Sequence, residues 1–301
     1  KYRRHIQYIF AAGDAEPEEE QAHLNHWIRT PLVRAYVSAY RGNRKHTYSM
    51  AGVNILISGD CGGKLSAMFK RVASVNKSNG PFAALLCVGG FFEPSGPEGD
   101  SSEDGCELME FIAQSKQAPV PTYFVGSFGK SSDKAIKALS SANCGIHCLG
   151  RSGVTEVAGL TLAFLDGMFD EEEYSAYKLD TDTASCRYFR EMDVVKLKLE
   201  ADGAGDIDMF LTCQWPAGIL GYVPPTLRPK GIEAGSNPKN AVQMLDDVAA
   251  VIRPRYHVAS GEGVFYARVP YQNPDRGVGG HVTRFIGLAA VGNGAKEKSL
   301  H

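Results

Sequence analysis

The chain has 301 residues, 44% of them hydrophobic and 22% charged, with a formal net charge of −2. That length supports one large domain or two small ones with a well-buried core. So small a net charge excludes a global field that draws the protein onto nucleic acid or an anionic membrane, leaving only local patches, and no run of roughly 18 to 20 apolar residues is present to span a bilayer.

The first residue is Lys1 rather than Met, which reads as the mark of a processed or trimmed chain. Lys1, Arg3 and Arg4 beside Ile6, Tyr8, Ile9 and Phe10 suit what is left beside a removed targeting segment, and equally an arbitrary boundary. Residues 1–50 differ from the rest. Glu16, Glu18, Glu19 and Glu20 precede Trp27, Ile28, Leu32, Val33, Tyr36 and Val37 at helical spacing, and a basic turn, "RGNRKH", follows. The expectation is a helical extension of one or two helices that caps its own domain or packs on a partner, followed by a main domain over residues 51–301.

From Val53 the pattern becomes strand, helix, strand. "NILIS" precedes a helix from about Gly63 to Asn76; "AALLCVGG" is an apolar strand, "GCELMEFIAQS" a helix and "PTYFVGS" another strand. A helix over Ser131 to Ser141 leads to the strand "GIHCLG". This alternation calls for a mainly parallel sheet with helices on its faces and functional loops at the carboxyl ends of the strands. In the second half, "GVTEVAGLTLAFLDG" reads as a strand pair and "DIDMFLTCQWP" as a strand ending in a Trp-Pro loop. "RPRYHVASGEGVFYARVPY" reads as two strands joined by a Gly-rich turn, and "HVTRFIGLAAVG" as a last strand. Pro216 to Pro238 reads as a long surface loop. Two facing sheets with helices outside fit this order: an α/β two-sheet sandwich.

Seven cysteines, odd in number and mostly among apolar neighbours, favour reduced thiols in an intracellular compartment over a disulfide framework. Cys144 and Cys148 flank His147, but no second Cys/His pair follows at zinc-finger spacing.

"ILISGDCGGKLS", from Ile55, has the look of a phosphate loop, but a Walker loop needs G-x-x-x-x-G-K-[ST], and here Gly63-Lys64 is followed by Leu65. A metal-binding loop fits better. In calcineurin-like phosphoesterases, strand ends carrying D-x-H, G-D, G-N-H-[ED] and G-H-x-H converge so that Asp and His ligands hold two metal ions about 4 Å apart. An alternative for Asp60 is to cap the N-terminus of the helix that begins at Gly63.

The segments "LLCVGGFF", "LTCQWP", "RPRYHVAS", "YARVPY" and "HVTRFIGLAAVGN" resemble the N-terminal domain of the CwfJ-type splicing-factor family, itself similar to the RNA lariat debranching enzyme. The match runs from about Asn54 to Lys298, and residues 1–50 have no counterpart in it. The resemblance implies a metallophosphoesterase-like fold whose ligands are mostly lost. Asp60 matches the Asp of D-x-H, but the His position is Gly62 and the second-motif Asp position is Gly90. Ser127, Phe128 and Gly129 stand at the Asn, His and Glu of the third motif, Cys213 at a lone His, and Gly261 and Gly263 near the paired histidines.

A single carboxylate cannot hold two hard divalent ions, and Phe128 cannot move a proton. The resemblance thus implies a pseudoenzyme with no catalytic residue, no bound metal and no cofactor. By the same resemblance it would serve as a scaffold in a ribonucleoprotein assembly tied to intron-lariat spliceosomes and lariat turnover, and would be nuclear. Its partners would be protein subunits of that assembly, with RNA and a lariat debranching enzyme as further candidates and no membrane.

Candidate contacts to RNA phosphates or a partner are Lys64, Arg253, Arg255, His257, Arg268 and Arg284, the arginines forming a basic rim or else pairing with acidic neighbours. His257 also suits a hydrogen-bonded structural role. Two alternatives stay open. One is a structural subunit of a mitochondrial ribonucleoprotein after loss of a targeting segment. The other is an active metal-dependent phosphodiesterase with a site rebuilt from Asp60, Asp166, Cys213 and His257. The family usually continues into two further, histidine-triad-like domains, so the expectation is either that these lie beyond His301 or that the chain is a reduced relative.

Overall fold

The computed structural model describes residues 53–94, 106–129, 131–175, 187–230, 232, 237–273 and 282–301. The helical extension expected over residues 1–50 lies outside the described residues.

Strand β1 (Ile55–Ser58) leads through a Gly-rich turn into helix α1 (Leu65–Asn79), and β2 (Ala84–Cys87) follows. Helix α2 (Glu107–Ile112), β3 (Thr122–Phe124), α3 (Ser132–Leu139) and β4 (Ile146–Cys148) complete the first half. The four strands pair in parallel in the order β1-β2-β3-β4. Strands β1, β2 and β3 are largely buried on both faces because each face is covered, while β4 at the edge leaves His147 exposed. Leu56, Leu85, Phe124 and Ile146 meet Leu65, Met68, Phe69, Leu108 and Phe111 of the helices, while Ile57, Leu86 and Val125 face the other way, toward a second sheet. Residues 299–301 run antiparallel along β1, where Ile57 and His301 exchange backbone hydrogen bonds of 2.9 Å, so this sheet edge is covered.

The second sheet begins with the hairpin β5 (Ser152–Val157) and β6 (Leu160–Leu165). Helices α4 (Glu171–Ser175) and α5 (Glu191–Ala204) come next, followed by β7 (Met209–Thr212), α6 (Gln243–Ile252) and β8 (Tyr256–Ala259). Two short strands, β9 (Tyr266–Ala267) and β10 (Tyr271–Gln272), precede β11 (Val282–Gly287). The order is β10-β11-β8-β7-β6-β5, with β9 also on β11. Leu162, Phe164, Leu211, Val258 and Ile286 pack against the first sheet; on the outer face Ala163, Leu165 and Phe210 meet Val194, Leu197, Leu245, Val248 and Ile252 of α5 and α6. The result is a helix, sheet, sheet, helix sandwich, as the sequence pattern predicts.

Three features depart from the sequence reading. The two strands expected to be joined by the Gly-rich turn at 261–263 do not pair: β8 lies in parallel between β7 and β11, and β9 pairs antiparallel with the far side of β11. Helices α5 and α6 have no counterpart among the expected elements. Finally, the stretch from Pro216 is not all surface loop. Residues 217–220 and 225–227 form short 3-10 turns, and Ile219, Leu220 and Val223 are buried, the first two against Trp215, Tyr266 and Phe285.

The Trp215 indole lies so close to β11 that a Cβ built on Gly287 would stand 2.1 Å from its ring. Gly287→Ala should therefore lower stability by about 1–3 kcal/mol, the cost of overpacking, read as a lower urea midpoint at unchanged slope. Below the same cluster Asp246 of α6 accepts the Gly218 N–H with both oxygens, at 3.1 and 2.9 Å, and burial pushes its carboxyl up to about 6. Because the folded state holds that proton more tightly than the unfolded chain, stability tied to it is gained as pH falls and lost as pH rises through about 6. The wild type should accordingly gain thermal stability relative to Asp246→Asn between pH 7 and about pH 4.5, the window set by the usual carboxylate value near 3.9.

Candidate functional site

The carboxyl ends of β1, β2, β3, β6, β7 and β8 meet at the top of the sandwich, where this strand arrangement places functional loops. Asp60 follows β1. Its Oδ1 accepts the Gly90 N–H at 2.8 Å from the loop after β2, and its Oδ2 accepts the Gly261 N–H at 3.1 Å from the loop after β8. Burial raises its pKa, opposed by these amides and by the Ser260 hydroxyl. Asp166, at the end of β6 and 1% exposed, accepts N–H groups from Gly126 at 2.8 Å and Ser127 at 3.1 and 3.0 Å, in the loop after β3. Burial raises its pKa as well. Cys213, after β7, places its Sγ 3.9 Å from Asp166 Oδ1; burial first, and the Asp166 charge second, push its thiol well above the usual range. The loops fit together only because Gly89 carries no side chain: it has φ +83°, and a Cβ there would stand 1.8 Å from Ser260 Oγ and 2.3 Å from Asp60 Oδ1.

The capping role considered for Asp60 is not what the structure shows. No side chain caps the start of α1 at Lys64, and the Ser66 N–H in its first turn donates instead to Glu107 Oε2 of α2, at 2.6 Å. Beside that helix start lies a cleft of about 230 Å³ lined by Gly62, Gly63, Lys64, Phe91, Glu93 and Glu107 among others.

A pair of divalent ions requires several hard anionic or imidazole donors converging with free lone pairs. Asp60 and Asp166 instead turn their oxygens onto backbone N–H groups, Cys213 offers a soft sulfur rather than a hard oxygen donor, and Phe128 fills the third-motif His position, packed against the inter-sheet core. The residues present do not fit the metal pair that the fold family implies. Among the described residues no group of three His, Cys, Asp or Glu side chains is placed to hold a metal ion. Space for ligands nevertheless remains. A Cβ on Gly62 would meet nothing within 4 Å, and one on Gly90 would have Asp60 Oδ1 at 3.7 Å and Phe128 at 3.8 Å as its nearest neighbours.

His257 is brought to neither carboxylate. It points into the outer layer between Phe210 and Phe285, with Nε2 2.9 Å from Thr212 Oγ1. That hydroxyl donates to the Gln214 carbonyl at 2.8 Å, so the imidazole must be the donor to it. Burial pulls its pKa down to about 3, which keeps it neutral.

Nor do the arginines form a rim around Asp60. Arg255 pairs with Asp206 at 3.1 Å and Asp208 at 3.3 Å just before β8 begins, and Arg284 lies over the Tyr256 ring at 5.7 Å. Both therefore sit at the amino ends of β8 and β11, opposite the end that carries Asp60. Arg253 ends α6 in left-handed backbone at φ 50°, also at the amino end of β8. Arg268 lies between β9 and β10 and holds carbonyls of the 219–221 turn. Lys64 alone of the six candidates lines the cleft. The tie from Asp60 to the two loops could not be read from sequence, because Gly261 lies 201 positions away.

Cys144 and Cys148 pack against the first core, and His147 stacks on Tyr123 at 5.0 Å. The six cysteines among the described residues carry free thiols.

No family model matches the chain. It is similar to zinc finger CCCH domain-containing protein 59 of Oryza sativa, 38% identical over 258 residues, a match spanning 82% of this chain and 39% of the relative. CWF19-like protein 1 of Xenopus laevis is 32% identical over 257 residues, spanning 83% of this chain and 44% of the relative. The chain thus spans about two fifths of the length of the curated relatives it matches. In architecture it is similar to TT1561 of Thermus thermophilus, with a TM-score of 0.50 at 14% identity, covering 81% of this chain and 92% of that one. The fold is metallophosphoesterase-like.

If Asp60 is a structural tie, Asp60→Ala leaves two enclosed amides without acceptors. It should cost about 2–4 kcal/mol in urea unfolding, whereas Asp60→Asn, which keeps an oxygen, should cost less. A wild-type midpoint for the alanine variant would remove that role.

Proposed function

Since the homologues named CWF19-like protein 1 support a CWF19/CwfJ family for this chain, we propose that the domain is a non-catalytic binding module of a splicing-related ribonucleoprotein assembly, working in the nucleus. The observation that carries this reading is the use of the Asp60 and Asp166 oxygens. Both carboxylates are turned onto backbone N–H groups of the surrounding loops, at or beside positions where the resemblance puts metal ligands. By the resemblance, a phosphodiesterase of this fold needs Asp60 and several further donors for metal, where Gly62, Gly90 and Ser127 stand, and needs a group that can move a proton where Phe128 stands. What remains is a rigid sandwich whose loops are tied to one another, suited to presenting a surface.

The finer proposal, resting on the resemblance of the late-strand segments, is a place near intron-lariat spliceosomes and lariat turnover, alongside a debranching enzyme. With Arg255 committed to Asp206 and Asp208 and the other arginines dispersed, we assign the main contacts to protein subunits rather than to RNA phosphates around the old pocket.

The test uses the full-length protein with added Mn²⁺, on a 2′,5′-branched RNA and on bis(p-nitrophenyl) phosphate. Turnover should not exceed that of Asp60→Asn. A wild-type rate about 10-fold above the variant, 1.4 kcal/mol of transition-state stabilisation, would restore the phosphodiesterase with a rebuilt site. In nuclear extract, the tagged full-length protein should co-sediment with excised intron lariat in excess over precursor RNA. Equal recovery of the two would remove the lariat assignment.

A further inference from the structure

The turn after Trp215 has two unlike sides. Its inward side buries Ile219, Leu220 and Val223, the first two in the cluster with Trp215, Tyr266 and Phe285. Its outward side carries Tyr222, 79% exposed, and Leu227, 50% exposed, with Pro224 and Pro225 exposed between them. Tyr222 is held in left-handed backbone at φ +58°, a conformation that costs a bulky residue and persists only where its surroundings impose it.

Two arginines supply that constraint. Arg268 donates through Nε to the Ile219 carbonyl at 2.7 Å and through Nη2 to the Gly221 carbonyl at 3.2 Å, with its guanidinium 4.6 Å from the Tyr271 ring centre. Arg228 reaches the Leu220 and Val223 carbonyls at 3.3 and 3.4 Å. Residues 268–270 form a bulge: three residues between β9 and β10 face two, Arg284 and Phe285, on β11. It lifts Val269, 51% exposed, out beside the turn that Arg268 clamps.

The patch is apolar with a cationic border. Among the described residues the ion pairs use Glu110, Asp193, Asp206 and Asp208, so Arg228, Lys230 and Arg268 have no carboxylate partner there. Asp246 of α6 is engaged with the Gly218 N–H. An exposed tyrosine on a backbone already fixed by prolines and clamps loses little entropy on binding, and tyrosine beside arginine is the composition of binding hot spots.

The geometry points to a docking surface formed by Tyr222, Leu227 and Val269 with Arg228 and Arg268, for an extended acidic segment of a partner protein. Such a segment would set an apolar side chain against Tyr222 and Leu227 and carboxylates against the guanidiniums. Charge complementarity selects an acidic partner. The aliphatic share of the patch selects protein over RNA, since single-stranded RNA calls for a run of exposed rings along a basic groove, and here one ring stands among prolines, leucine and valine. The bulge and Pro270 break the sheet edge, so the contact is through side chains rather than by strand addition. These residues are not those of the Asp60 pocket, so the surface and the non-catalytic reading fail separately.

The experiment selects peptides from a displayed random library on the full chain and measures their affinity for the wild type, Tyr222→Asn and Arg228→Glu. Asparagine tolerates the left-handed backbone, so Tyr222→Asn should keep or raise the melting temperature while weakening binding about 10- to 30-fold. Selected peptides should be rich in Asp and Glu around an apolar residue, bind less tightly at high salt, and lose affinity for Arg228→Glu. Selection of non-acidic peptides, or equal affinity for wild type and Tyr222→Asn, would overturn the proposal. So would oligouridine binding that depends on Tyr222, which would make the patch an RNA platform, or self-association in sedimentation that Tyr222→Asn abolishes.

Discussion

The Asp60 carboxylate joins loops of both sheets, beside backbone bonds such as Gly62 N–H to the Gly90 carbonyl. Its two oxygens accept amides 30 and 201 positions away, one from each sheet, so one side chain at the end of β1 bridges the loops of the two halves. Around that tie the approach is close enough that Gly89 admits no side chain. Asp166 repeats the device from the other half, reaching from β6 to the loop after β3. In a water-poor pocket such carboxylate–amide bonds are strong, and their loss leaves donors stranded. Each Asp60 oxygen accepts one amide here, and what the site lacks for hard cations is the number of anionic or imidazole donors beside it.

Much of the fold is legible from the chain. The first three strands announce themselves as short apolar runs because both faces are covered, and the alternation with helices fixes a parallel sheet. The second half is harder. Helix α6 has its buried residues at Leu245, Val248, Ala249 and Ile252, a clear helical spacing, yet it sits between a Pro/Gly-rich stretch and a strand that draw attention to β structure. Helix α5 interrupts its own apolar stripe with Glu200, whose carboxylate is buried and accepts the Val154 N–H of β5 at 2.8 Å. The Gly-rich turn at 261–263 looks like a hairpin loop, but pairing β8 between β7 and β11 gives it two parallel neighbours and a more complete ladder than a hairpin with β9.

Of the site, the sequence carries positions but not partners. Asp60 is placed by its strand-end motif, and the missing ligands by comparison with a family pattern. What those positions do instead depends on amides far away in sequence, which leave no local signature. The arginines show the opposite failure. They recur on late strands and suggest a cluster, but strand direction sends Arg255 and Arg284 to one end of the sheet and the Asp60 loops to the other. His257 follows the same rule: alternation along β8 turns it toward Phe210 and Phe285 and away from Val258 and the inter-sheet core.

The room left at Gly62 and Gly90 has a consequence for building chemistry onto this scaffold. A Cβ at Gly62 would meet nothing within 4 Å and one at Gly90 only ordinary contacts at 3.7 to 4.0 Å, although the φ of +54° at Gly62 would favour an asparagine-like residue. Phe128 is different, since its ring is part of the material between the sheets and its removal would open a void. Side chains could thus be added at two of these positions, whereas the third is taken up by packing. Any attempt to regraft chemistry onto this scaffold therefore has to begin with the core.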